Sequence, residues 1–462
     1  MELWFYWSQA IFPLRGAFSR TATFQWFFLF LIGLTIRTDL AGVTSIIRVL
    51  GLSEKAYDRL LAMIHSSSIN LELLTKLWIQ SLLKLIPQIQ TYEGRHLLIA
   101  DGVKAPKSGK RMPAVRLHHQ VSESNTKPEF IMGHSFQAVA FLAGNDLHSF
   151  AIPIASRIHE GVRWFPNDKS TLLDKLLSLV MSLKLEKQFI LIADAYYASG
   201  SLIKQLTKNG NHLVTRVRNN AVAFETPSPL PSPGKRGRKR IYGKKIKLFG
   251  QWEHGFDCVA SPWEPKIMIR IKSLDLFWRK AQQLVRFVWV DHPQRGRILI
   301  LCSDLSIPPI EIAKLYAKRF KIEIAFKQAI RSLGLYSYHF WSRIMKPTKR
   351  REKDRFLHKE SEIYKKAIER KIRAFHIFVQ AGIIVQGSLQ YLSLCHTQLV
   401  WKNFGSWLRT IRPDVHPSES VTSCALRSSM PQFLADTPDN IPCKLLLHKY
   451  ADPVRSSLLK AA

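Results

Sequence analysis

Carboxylates are scarce in this chain. Its 462 residues carry 34 Asp and Glu against 68 Lys and Arg, a formal charge of +34. That deficit argues against an ordinary charge-balanced surface and points to a polyanionic partner, of which nucleic acid is the commonest. Cysteine is scarce too. Cys258, Cys302, Cys395, Cys424 and Cys443 form no C-x2-C pair or other zinc-like spacing, so no structural zinc is expected. An odd, scattered set fits a reducing cytoplasm better than a disulfide scaffold. There is no G-x4-G-K-[ST] phosphate loop, which excludes the commonest route to nucleotide hydrolysis. The strongly apolar run FQWFFLFLIGLTI stops at Arg37 after 13 residues, short of the roughly 20 that span a bilayer. No clean cleavage site follows it. It reads as a buried helix, and no membrane partner is expected, although a basic membrane-associated protein built on this run is a competing class.

Hydrophobic residues make up 46% of the chain, enough for a sizeable core. Residues 1–92 show three- and four-residue apolar spacing and read as a helical N-terminal domain, a candidate for DNA end binding, with Ser53 and Ser68 as candidate caps. Residues 93–218 change to an α/β pattern, β-β-β-α-β-α-β. Its strands are HLLIAD, GHSFQAVAFLAG, LHSFAIPIAS, FILIAD and HLVTRVR; Ser170 is the expected cap of the first helix and Gly210 closes the second. Residues 219–308 open with the basic, Pro/Gly-rich PSPLPSPGKRGRKR and continue with three alternating strand-like runs, a β-rich insertion. Residues 309–395 return to helix. One helix starts at Ile307-Pro308-Pro309 and ends at Gly334; a second, long one follows a charged break at 345–355. Residues 396–462 form a C-terminal tail with little periodicity beyond about 412, and their order is left open.

The few acids fall in a pattern. Leu-Ile-Ala-Asp occurs at 98–101 and again at 191–194, each time closing an apolar run. Such runs suit central strands covered on both faces. An acid at the carboxyl end of a central strand stands where open α/β sheets bind ligands. If the two strands are parallel neighbours, Asp101 and Asp194 share a pocket. Two close carboxylates repel, and a divalent cation is their natural occupant. Either Asp alone is as well explained as a turn or cap residue. A third acid is offered by Glu323: Tyr316, Arg319, Glu323 and Lys327 lie at i, i+3, i+7 and i+11, on one helical face opposite Leu315, Ile322, Phe326 and Ala329. A solvated face laced by Arg–Glu pairs is the plainer account of that stripe.

The order Asp101, Asp194, Glu323, with a strand-rich insertion before the glutamate helix, resembles the insertion-sequence DDE transposases. These have the ribonuclease-H-like fold of retroviral integrases. Tyr316, Arg319 and Glu323 match the Y-x2-R-x3-E-x6-K signature of one group, and ADAYYASG and FKQAIRSLGLY are similar to its members. The final lysine of the signature falls on Ile330, with Lys327 and Arg331 as candidate replacements. The resemblance implies a ribonuclease-H-like mixed sheet with a β-rich insertion before the glutamate helix and a helical N-terminal domain. It implies two Mg²⁺ (or Mn²⁺) ions held by Asp101, Asp194 and Glu323. The activity it implies is DNA cleavage at element ends and strand transfer into target DNA, by a homodimer on paired ends in the bacterial, nucleoid-associated cytoplasm. A degenerate relative that binds DNA without cutting, and a stand-alone nuclease of the same fold, are the alternatives.

The remaining basic residues take positioning roles in this scheme. Tyr316, Arg319 and Lys327 are expected at phosphate oxygens near the acids. Lys104, Lys107, Lys110 and Arg111 follow the first Asp and are expected to hold the cleaved strand, while Lys235, Arg236, Arg238, Lys239 and Arg240 track the backbone from the insertion. Trp278 and Trp289 read as buried aromatics before base-stacking ones. Adjacent His118 and His119 point to opposite faces of an extended chain and cannot readily share an ion; His134 reads as a core residue.

Overall fold

The structure, a computed structural model, describes residues 2–40, 42–119, 128–146, 148–227, 241–349, 351–405, 407, 410–436 and 442–452. Five helices come first: α1 (Glu2–Ile11), α2 (Thr21–Ile36), α3 (Val43–Val49), α4 (Glu54–Ile64) and α5 (Leu71–Leu85). α2 is apolar on every side because it is buried on every side, with Phe27, Leu29, Phe30 and Leu31 fully enclosed. Ser53 occupies the N-cap of α4 without a side-chain cap bond. Ser68 caps nothing: its hydroxyl pairs with Ser66, and Asn70 caps α5 by accepting from Leu73 N.

The α/β region follows the expected order. It comprises β1 (Arg95–Pro106), β2 (Phe130–Gly144), β3 (Ser149–Ile158), α6 (Leu172–Ser182), β4 (Phe189–Ala193), α7 (Gly200–Lys208) and β5 (His212–Arg216). β2 runs antiparallel to β1 and β3, whereas β4 is parallel to both β1 and β5. The spatial order β3-β2-β1-β4-β5 is that of a ribonuclease-H-like sheet. The cap of α6 is Thr171, in a capping box with Asp174, not Ser170, whose hydroxyl turns back to Asp168.

The insertion contributes β6 (Val222–Phe224), β7 (Lys245–Lys247), β8 (Asp257–Ala260), β9 (Met268–Trp278), β10 (Gln283–His292) and β11 (Gly296–Cys302). These strands do not form a layer of their own. β11 pairs with β5, β10 with β11 and β9 with β10, so the central sheet continues through the insertion as one 13-stranded sheet. After it, α8 (Pro309–Ala317) and α9 (Lys321–Gln328) replace the single helix expected up to Gly334. A 3-10 turn, Lys318–Phe320, separates them, and a π turn, Ala329–Leu333, carries the chain to Gly334 at φ 62°.

Alternation along the strands divides the core in two. Leu98, Ala100, Leu191 and Ala193 face the N-terminal helices and α10 (Glu362–Cys395). Leu97, Ile99, Ile190 and Ile192 face α8 and α9. With a period of two, Asp101 and Asp194 belong to the α8–α9 side. α10 is long and apolar enough to cross a membrane, but its apolar window is wholly buried inside the protein. Its Gln380, Gln386 and Gln390 donate to the carbonyls of Ile154, Ala325 and Ala151, which ties it to β3 and α9.

The tail left without a pattern contains α11 (Thr397–Phe404), α12 (Glu419–Asp436) and α13 (Pro442–Lys449). α12 packs against α1, α2, α10 and α11, and Trp4 Nε1 donates to Leu426 O at 3.0 Å, joining the two ends of the chain. Small polar residues that bond within the core, such as Ser423 and Ser429, blur its apolar stripe.

Phe30→Ala is expected to lower the unfolding free energy by about 3–5 kcal/mol, the usual cost of emptying a buried phenylalanine site. Denaturant titration measures it; a loss under about 1 kcal/mol would mean that α2 is not a core helix.

Candidate active site

The two LIAD stretches lie side by side in register. Leu98 pairs with Leu191, Ile99 with Ile192 and Ala100 with Ala193 on parallel β1 and β4. Asp101 and Asp194 are the next residues on both strands. Asp101 is still inside β1, opposite Ala138, whereas Asp194 ends its strand and begins the 3-10 turn Ala195–Tyr197. Thr215 Oγ1 and Tyr197 N fix the Asp194 carbonyl at 2.8 and 2.9 Å.

Glu323 reaches the same place through Arg319. The guanidinium donates from Nη2 to Glu323 Oε1 at 2.6 Å and lies with Nη1 3.5 Å from Asp101 Oδ2. Burial raises the Asp101 carboxyl to about 6. The Gly102 amide and Arg319 oppose that rise, and the charges of Asp194 and Glu323 add to it. Burial works against the Arg319 charge, yet Tyr316, Glu323 and Asp194 together raise the guanidinium above its ordinary value. The three acids therefore share one electrostatic field, with a cation drawn into it.

The donor set fits hard divalent ions. Carboxylate oxygens suit Mg²⁺ or Mn²⁺, and Asp101, Asp194 and Glu323 are the residues that would hold them. Among the described residues no three metal-ligating side chains stand together as a ready cage. In this arrangement Arg319 stands between Asp101 and Glu323 as their counterion.

Several expected contacts fall elsewhere. Tyr316 is not on a solvated face: its ring is buried with Ile312 and Leu315, and burial pushes its phenol up to about 12. It lies against Arg319 and lines the same pocket as Asp194 and Arg319. Lys107 is buried, its Nζ donating to the carbonyls of Tyr336 and Tyr338, and cannot reach a phosphate. Burial lowers that amine to about 7. Lys104 is exposed on β1, three residues past Asp101, and donates to His119 O. Lys110 and Arg111 are exposed but lie along the 342–348 segment, Arg111 donating to Arg343 O. Lys327, Ile330 and Arg331 are all exposed, and the π turn displaces the last two from a regular helical register. Lys235, Arg236, Arg238, Lys239 and Arg240 lie outside the described residues. Trp278 and Trp289 are buried, so neither offers a face to a base. His118 and His134 bond to the carbonyls of Gly133 and Pro113.

Two positioning residues escaped the sequence. Tyr197 is buried and donates to Gln137 Oε1 at 2.7 Å, and Gln137 lies opposite Gly102 on β2. The pair braces the turn after Asp194 against the strand beside Asp101. The tyrosine doublet after Asp194 was the available signal: Tyr197 is buried and Tyr196 is exposed.

A family profile described as DDE superfamily endonuclease matches residues 13–261. The match contains Asp101 and Asp194 and stops before Glu323, whose place rests on geometry. No curated protein matches the chain. Among solved structures, a cryo-EM structure of a piggyBac transposase synaptic complex with hairpin DNA aligns with 94% of this chain and 76% of that one, at 13% identity and a TM-score of 0.35. A likeness of that strength carries no argument here.

The raised Asp101 sets a pH dependence. Below about pH 6 its carboxyl keeps its proton, and a cation must displace it; above that pH it need not. Mn²⁺ affinity, measured by paramagnetic resonance, is expected to fall about tenfold per unit below about pH 6 and to level off above it. A flat profile from pH 5 to 8 would remove Asp101 from the ligand set.

Proposed function

The chain belongs to the DDE superfamily endonucleases, and from that premise we propose that it is a DNA transposase, cutting at element ends and joining the freed 3′-hydroxyl to target DNA. The supporting observation is the paired LIAD register, which sets Asp101 beside Asp194, together with the Arg319 guanidinium that links Asp101 to Glu323. Bound to these three acids, two Mg²⁺ or Mn²⁺ ions would supply the charge and the lowered pKa of an attacking oxygen that phosphodiester displacement needs.

The protein's own groups do the rest. Asp101 and Asp194 stand on neighbouring strands of a buried sheet, so their spacing is set by backbone pairing and not by loop motion. Glu323 approaches on α9, one helical turn past Arg319. Arg319 neutralises the acids while they wait. Released from them, its planar fork suits two phosphate oxygens. Tyr316 holds it from behind. Lys104 is placed to steady the strand beside Asp101; Lys110, Arg111 and the basic run 235–240 are assigned to backbone phosphates farther out. Lys327 or Arg331 takes the part of the missing signature lysine. DNA is the partner, two copies of the chain act on paired ends, and a bacterial cytoplasm is the setting this scheme fits.

A second reading, a relative that binds element ends without cutting, is favoured by one observation, Ile330 in place of the signature lysine. Nicking of DNA that carries the native element ends, with Mg²⁺ or Mn²⁺, separates the two. Wild type should cut, and Glu323→Gln should lose at least about a hundredfold in rate, more than loss of an outer-shell partner costs, while keeping end binding. Binding without cutting by both proteins selects the second reading. Cutting that survives in Glu323→Gln means the third acid lies elsewhere.

A further inference from the structure

Beyond Asp194 the chain turns through Tyr196 into α7, where it meets the hairpin that joins β9 to β10. These segments, with the first residues of the insertion, wall a groove of about 830 Å³. Gly200 makes the meeting possible. A Cβ at that position would lie 1.9 Å from the carbonyl oxygen of Lys280, so any side chain would push the hairpin away. The close approach sets Arg279 and Lys280, both exposed on the hairpin turn, in the same groove as Tyr196.

The lining is one-sided in charge. Arg218, Lys245, Arg279 and Lys280 contribute to it and no Asp or Glu does. All four are exposed, and no ion pair between described residues engages them. Four uncompensated cations in one concave surface focus a positive potential and favour a polyanion. The start of α7 lies in the same wall, its N-cap Ser199 making no side-chain cap bond. Tyr196 supplies a different chemistry. It stands two residues past Asp194, 45% exposed as a residue, its ring braced edge-on by Tyr197 at 5.4 Å between centroids. Tyr197 is itself anchored on Gln137.

A cationic track with an exposed aromatic face is the physical pattern that holds single-stranded nucleic acid. Paired bases keep their faces stacked inside a duplex; only an unpaired base can lay its face on Tyr196. We propose that this groove binds an unpaired strand of DNA. Its phosphates run along Arg218, Lys245, Arg279 and Lys280, and one base stacks on Tyr196. The assignment rests on the nuclease reading of the acidic site and names a surface for its substrate.

The test is fluorescence anisotropy of a labelled single-stranded oligonucleotide and of the same sequence as a blunt duplex, in EDTA. Wild type, Tyr196→Ala, the double variant Arg279→Ser/Lys280→Ser and Glu323→Gln are compared. All the groove substitutions are at exposed positions, and circular dichroism checks their folding. Tyr196→Ala should weaken single-strand binding about tenfold, with little effect on the duplex. The double variant should lower the slope of log affinity against log salt by about 1.4, two phosphate contacts on a single strand. Glu323→Gln should bind the single strand as wild type does. Unchanged affinity and slope in the groove variants would overturn the groove and leave the nuclease reading intact. Equal losses on single strand and duplex would overturn the claim of an unpaired strand.

Discussion

Everything at the site depends on one electrostatic constraint: two carboxylates forced into adjacent positions on parallel strands. Backbone pairing fixes Ala100 beside Ala193, and Asp101 and Asp194 follow directly on the two strands. Their repulsion needs a cation. Without a metal, the Arg319 guanidinium supplies it, lying between Asp101 and Glu323. The choice of arginine is physical. A guanidinium stays charged when half-buried and can serve two acceptors at once, whereas burial pulls a lysine amine toward neutrality, as it lowers that of Lys107 to about 7. A chain of +34 thus gathers three of its few acids around one arginine.

The continuity of the sheet gives the site its second dimension. Had the insertion folded as a separate layer, its position relative to Asp194 would depend on a linker. Instead β11 pairs with β5, and β10 and β9 follow in the same hydrogen-bonded array. The hairpin between β9 and β10 is therefore carried on a rigid extension of the same strands that carry the acids. Its contact with α7 at Gly200 closes the circuit. Acid pair, exposed tyrosine and basic groove are held by one sheet, and the distances between them are properties of strand pairing.

Much of this was legible in the sequence. The five central strands, their order and the paired acids could be read because buried parallel strands are written as continuous apolar runs, and because the repeated LIAD is a register written twice. The shared face of Arg319 and Glu323 could be read from helical spacing, although the break at Lys318–Phe320 could not, since a 3-10 turn keeps almost the same residue periodicity. What failed had tertiary causes. Lys107 carries a polar tip, and a sequence does not show whether a polar tip meets solvent; this one bonds to carbonyls of a distant segment. The helices of the tail were hidden because α12 buries serines that bond to other elements. The groove was invisible because its cations come from the segment after β5, from β7 and from a hairpin, far apart in the chain.

The third acid shows how far the site reaches into the fold. α9 carries Glu323, yet α9 is short, flanked by a 3-10 turn and a π turn, and has little stability of its own. Gln386 of α10 donates to the carbonyl of Ala325, two residues beyond Glu323, at 2.9 Å. Gln380 and Gln390 fix the same helix to β3 on the central sheet. α10 is in turn packed against α1, α2, α5 and α12. The glutamate is thus positioned against the aspartates through a buried helix clamped to both the sheet and α9. A buried amide costs free energy unless it is bonded, and each of these three donates to a backbone carbonyl. The polar residues in the middle of the most apolar long helix of the chain are therefore what ties the two halves of the acidic site into a single geometry.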